Sequence, residues 1–170
     1  MNTLKLWTTV LIFGLSPLAA TANDDAGDGG RCNPVGTWSV NITFPPEANV
    51  PPFTELISFL PGGVVLESNS QLHPNSANPF LPFNSSDGYG AWERRRHCLI
   101  EFKLLKHVFD PSHQFVGFIR ITVKAKIVGN TYSNKLEDSN VELVVGTDPD
   151  APAAMSFGGS TSQGTRVLAD

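Results

Sequence analysis

From position 36 the chain alternates. Trp38, Val40, Ile42 and Phe44 fall on one parity, and Thr37, Ser39, Asn41 and Thr43 on the other. A period of two marks a strand with one buried face and one wet face, so a strand is predicted over 36–44. Gly36 lets a neighbouring backbone pass close by, and Trp38 begins the buried face with the largest side chain available. Pro45, Pro46, Pro51 and Pro52 then make a stiff connection that cannot join a central ladder. Further strands are predicted over 53–60 and 64–70, joined by the tight-turn signal Pro61-Gly62-Gly63. A fourth runs over 88–94 and carries Trp92. A fifth, over 98–108, alternates Cys98, Ile100, Phe102 and Leu104 against Leu99, Glu101, Lys103 and Leu105. The clearest strand of all follows, with Phe115, Gly117, Ile119, Ile121, Val123, Ala125 and Ile127 on one parity. Gly129-Asn130 is a hairpin turn. The seventh strand starts at Thr131, breaks near Glu137-Asp138-Ser139 and resumes through Val141, Leu143 and Val145. Residues 147–163 read as a loop of Pro, Ala, Gly and Ser, and a short last strand is centred on Thr165-Arg166-Val167-Leu168.

No segment after the N-terminal one has a helical period, so the fold class is all-β. Eight consecutive strands joined as hairpins leave two unpaired edges unless the sheet curls shut. The expected architecture is a closed or nearly closed eight-stranded antiparallel up-and-down barrel. In such a barrel the short turns share the end where the first strand begins. The long connections share the other end, which makes a tight base and a fringed mouth. One of them, about 71–87, is irregular yet holds Leu72, Phe80, Leu81 and Phe83, and reads as a packed flap. Arg166, late in the last strand, falls near the base beside Trp38, where a guanidinium stacked on the indole would seal the floor.

Composition changes the picture at the N-terminus. Lys5, the apolar run Leu6 to Leu15 and Ala20-Thr21-Ala22 read as a secretory signal over 1–22. A flexible, acidic, Gly-rich leader is expected over 23–35 and a single barrel domain over 36–170. The location implied is secreted or periplasmic, and nothing downstream is apolar for long enough to span a membrane. The full chain has a formal net charge of −4. Mild acidity of this kind argues against nucleic acid or anionic lipid as the main partner. In an oxidising compartment Cys32 and Cys98 read as one disulfide, the alternative being a buried free thiol at Cys98.

Gly36-Thr37-Trp38 on the first strand, with Arg166 on the last, resembles the glycine-x-tryptophan and closing-arginine pair of lipocalins and the wider calycin group. The resemblance implies a calycin-like barrel. It departs from lipocalins in having no second motif of the Thr-Asp-Tyr type and no helix after the last strand. Phe44, Phe59, Phe102, Leu104, Phe115, Ile119 and Ile121 would line the interior, with Phe80 and Phe83 gating it. Alternatively the same side chains pack solid. Glu101 falls on the outer parity, whereas Glu55 is ambiguous. Arg94-Arg95-Arg96-His97 reads as a solvated turn or an anion site. His73, His97, His107 and His113 have no ligand spacing, and no metal or cofactor is expected. Asn41 and Asn84 each begin a glycosylation acceptor triplet. Hydrolase, zincin, redox and phosphate-loop motifs are absent. Three functions remain: a carrier of a small apolar molecule, a cyclase or isomerase acting by confinement, and a packed interaction module without a pocket. An interior void of several hundred cubic ångströms separates the first two from the third. A carboxylate or histidine aimed into that void favours the second over the first.

Overall fold

Every alternating run folds as a strand. The computed structural model describes residues 30–48, 50–70 and 84–168. Its strands are β1 (Gly36–Thr43), β2 (Phe53–Leu60), β3 (Val64–Asn69), β4 (Asn84–Ser85), β5 (Gly88–Arg94), β6 (Leu99–Phe109), β7 (Phe115–Val128), β8 (Thr131–Asn134), β9 (Ser139–Val145), β10 (Met155–Gly158) and β11 (Thr161–Arg166). Antiparallel pairing runs from β1 through β2, β3, β5, β6, β7, β8 and β11 and back to β1, closing an eight-stranded barrel. The predicted break in the seventh strand is a single 3-10 turn, Leu136–Asp138. Before it β8 pairs with the end of β7, and after it β9 pairs with the first half of the same strand. The two-residue β4 extends the sheet beside the tip of β6, and β10 does so beside β9. The secretory segment, the leader as far as residue 29, His73 and the flap residues Phe80 and Phe83 lie outside the described residues.

The last strand is displaced from its predicted place. It spans Thr161–Arg166, and β10 lies within the stretch read as loop, while Val167 and Leu168 are exposed. The physical reason is crowding. A Cβ on Gly164 would fall 2.6 Å from the Ser39 carbonyl and 2.7 Å from Val40 Cγ2. Glycine is demanded at that position, and the ladder to β1 and β8 holds the strand without any apolar alternation.

A second departure concerns Phe115, expected inside. Val108 pairs with Gly117 and Phe109 with Phe115, so Val116 is the extra residue of a bulge. The bulge reverses parity. Phe115 is 40% exposed and packs against His107, Phe109 and Phe118 on the outside of the hairpin.

The floor is built as the sequence suggests. Trp38 pairs with Arg166 across the β1–β11 seam, and the guanidinium carbon stands 4.3 Å from the centre of the indole. That guanidinium also donates to the carbonyls of Val35 and Asn33, and Trp38 Nε1 donates to Pro34 O at 2.8 Å. Cys32 and Cys98 form a disulfide with a Cα separation of 4.8 Å. Residues 31–35, expected to be flexible, are thereby held under the barrel, helped by a 2.6 Å hydrogen bond from Gly129 N to Arg31 O.

Candidate functional site: a charged cluster inside the barrel

The lower part of the barrel is solid. Phe59 meets Phe102 and Trp92 edge to face at 5.4 and 5.9 Å, and Trp38 lies beside Tyr132. Above this layer a cavity of about 80 Å³ remains, and its apolar wall includes Phe44, Phe53, Phe102, Leu104, Ile119 and Phe157. This is well short of the several hundred cubic ångströms expected, because aromatic side chains fill the floor.

The wall is also less apolar than expected. Glu55, Asn69, Lys106, Tyr132, Asn134 and Ser162 line the same cavity. Parity explains each inward charge. Glu55 shares the buried face of β2 with Ile57 and Phe59, Glu67 shares that of β3 with Val65, and Lys106 shares that of β6 with Leu104 and Phe102. Glu67 and Lys106 belong to strands separated by β5, which turns Gly88 and Gly90 toward the interior between them. A Cβ on Gly88 would fall 2.7 Å from Glu67 Oε2, so the glycine makes room for the carboxylate. Lys106 Nζ then reaches Glu67 Oε2 at 2.8 Å, with the two side chains 4% and 0% exposed. The other carboxylate oxygen, Oε1, is buried without a hydrogen-bond partner among the described residues.

Glu55 sits one step away. Register places it opposite Val40, Val40 opposite Gly164, and Gly164 opposite Tyr132, so only a valine and a glycine separate carboxyl from phenol around the wall. Burial pushes the Glu55 carboxyl up to about 8; the Glu67 charge adds to the effect and Lys106 opposes it. A carboxyl so placed exchanges its proton near neutrality, which is the property of a buried acid or base. Burial likewise pushes the Tyr132 hydroxyl above its ordinary range, with a hydrogen bond to Ser162 acting the other way. Ser162 donates in turn to Asn134 Oδ1, and Asn134 Nδ2 donates to Ser160 O at 2.9 Å.

Of the predicted lining residues, Phe44, Phe102, Leu104, Ile119 and Ile121 face the cavity. Phe59 lies below it in the packed floor, and Phe115 is outside the barrel. Trp92 packs its ring on Phe59 and donates from Nε1 to Leu60 O at 3.0 Å. Glu101 is on the outer face, 3.0 Å from Arg95, which also pairs with Glu93. The inward Glu67, Lys106, Tyr132, Asn134 and Ser162 were not anticipated. The signal for the charges was a Glu or Lys standing at the apolar parity of its strand.

No protein-family model matches this chain, and no curated protein or solved structure matches it. Among the described residues no helix is long and apolar enough to cross a membrane.

Proposed function

We propose that this chain is an exported, calycin-like barrel that binds one small, mainly apolar molecule inside it. The body of the ligand is held by burial against Phe44, Phe102, Leu104, Ile119 and Ile121, and its polar end meets Glu55. The observation that carries this reading is the cavity itself: it is smaller than the several hundred cubic ångströms expected, but it is a void of about 80 Å³ whose mixed apolar and polar wall includes a titratable carboxyl. A volume of that size takes a small molecule whole, or the end group of a longer one. The Gly36-Thr37-Trp38 and Arg166 pair, stacked at the floor, supports the calycin-like reading. Export is supported by the residue pattern of 1–22 and is compatible with the disulfide. Native mass spectrometry of protein purified from its own source, followed by extraction of retained compounds, tests the proposal. A copurifying small apolar molecule is the expected result. Repeated recovery of an empty protein that also excludes a fluorescent apolar probe would overturn it.

One observation favours a second reading. A carboxyl held near neutrality in a largely buried cavity is placed to move a proton, as an isomerase of the confinement type requires. Chemical change of the retained compound by the wild type, absent with Glu55→Gln, separates this enzyme from a carrier.

A further inference from the structure

The polar end of the ligand has a sign, and the interior charges give it. Two carboxyl groups, Glu55 and Glu67, share the barrel interior with one ammonium, Lys106, which is already engaged with Glu67 at 2.8 Å. The described elements packed around Glu55 present the following groups. β1 contributes Val40 and Ile42, β3 contributes Glu67 and Asn69, and β6 contributes Leu104 and Lys106. Across the barrel β7 contributes Ile119 and Ile121, β8 contributes Tyr132 and Asn134, and β11 contributes Ser162. None of these supplies another positive charge. Among the described residues the fully ionised cluster is therefore one cation short.

Hydrogen bonding shows the same deficit. Ser162 gives its hydrogen to Asn134 Oδ1. Glu67 Oε1 is a buried acceptor with no donor among the described residues. The carboxyl that faces the cavity is Glu55, and a ligand head rich in N–H groups complements it. Of the two acids only Glu55 lines the cavity, with the Glu67 charge acting on it from within the wall, so an anionic head would meet an acidic group there. The rings of Phe44, Phe53 and Phe102 also line the cavity and offer faces that attract a cation.

We propose that the barrel takes an organic ammonium, a primary or secondary amine on a short apolar body, with its cationic head against Glu55 and the Glu55 proton released to solvent on binding. This rests on the pocket reading above. The balance is simple: a neutral carboxyl and a free ammonium become a carboxylate–ammonium pair, and one proton leaves for the buffer. An alkylamine is itself protonated through neutrality, as lysine is. Because Glu55 is held at about 8, most of the protein carries that proton at neutral pH, and about 0.9 proton is released per amine bound at pH 7. Affinity rises about tenfold from pH 6 to pH 7 and levels off above about pH 8.

The test compares n-butylammonium, 1-butanol and butyrate by titration calorimetry on the full chain, each in two buffers of different ionisation enthalpy. Butylammonium is expected to bind tightest, with close to one proton released at pH 7 and the stated rise with pH. Glu55→Gln, checked for an intact thermal transition, is expected to lose the preference for the amine over the alcohol by tenfold or more. The proton count on the wild type stands independently of that variant. Butanol or butyrate binding as well as the amine, or amine binding with no proton released, overturns this inference and leaves the pocket reading in place. Failure of all three probes to bind folded protein overturns the pocket reading and the amine with it.

Discussion

Replacing Lys106 by methionine isolates the buried pair at the centre of the barrel. The substitution keeps the length and apolar stem of the side chain and removes the ammonium. In the wild type Lys106 Nζ lies 2.8 Å from Glu67 Oε2, with the side chains 4% and 0% exposed, so neither partner can turn to water. Removing one member of such a pair costs about 3–5 kcal/mol, because the other remains as an uncompensated buried charge. The upper half of that range applies here, since Glu67 Oε1 already lacks a partner and Glu55 stands close by. For a chain of this size each kcal/mol corresponds to roughly 3–4 °C in Tm, so the transition should fall by about 12–20 °C. The same bookkeeping makes a second, opposite prediction. Lys106→Met combined with Glu67→Leu removes both charges and is expected to recover to within about 1 kcal/mol of the wild type, or to exceed it. Urea unfolding at pH 7, followed by tryptophan fluorescence, measures both variants. A single variant within 1 kcal/mol of the wild type, or a double variant no better than the single, would refute the reasoning.

Further outcomes are expected. Glu55 is held at about 8 against an ordinary 4.5, so the folded protein keeps a proton that the unfolded chain releases. The stability carried by that proton is complete below the unfolded value and is lost as pH rises through the folded one. Glu55→Gln should therefore gain on the wild type steadily from about pH 5 to about pH 8 in thermal melts, and a constant difference would contradict the shift. Gly90→Ala places a Cβ 1.8 Å from the Lys103 carbonyl oxygen; forcing β5 from β6 should cost about 3 kcal/mol in the same urea assay. The disulfide spans 66 residues, so Cys32→Ser with Cys98→Ser should lower stability by up to about 4 kcal/mol. Equal melting with and without reductant would argue that residues 31–35 hold the floor without the covalent link.

How much of this was legible in the sequence depends on which physical signal each part used. Alternation on β1, β6 and β7 was plain, because a buried wall of a single sheet demands it, and the turns at Gly62-Gly63 and Gly129-Asn130 fixed the order of hairpins. The closing strand was blurred. Thr161–Arg166 is held by backbone ladders, with Gly164 at a point too tight for a Cβ, so hydrophobic period said little about it. Phe115 was misplaced because a bulge at Val116 reverses parity without changing composition. The interior cluster was the hardest part. Glu55, Glu67 and Lys106 each appear as one charged position in an otherwise apolar row. Only closure, with Gly88 and Gly90 leaving the intervening wall bare, shows that the three rows converge.

The sealed floor also fixes how the molecule can be mounted. Cys32 is tied to Cys98 beneath the barrel, and at the other end of the chain Val167 N bonds Thr37 O at 2.8 Å, so polypeptide enters and leaves on the same side. A tag, a fused partner or a solid support joined before Gly30 or after Leu168 would hang from the underside. Phe44 and Phe53 would then stand at the far pole, directed away from the anchor. An array of such molecules would present its Phe44–Phe53 end outward whichever terminus had been used to fasten it.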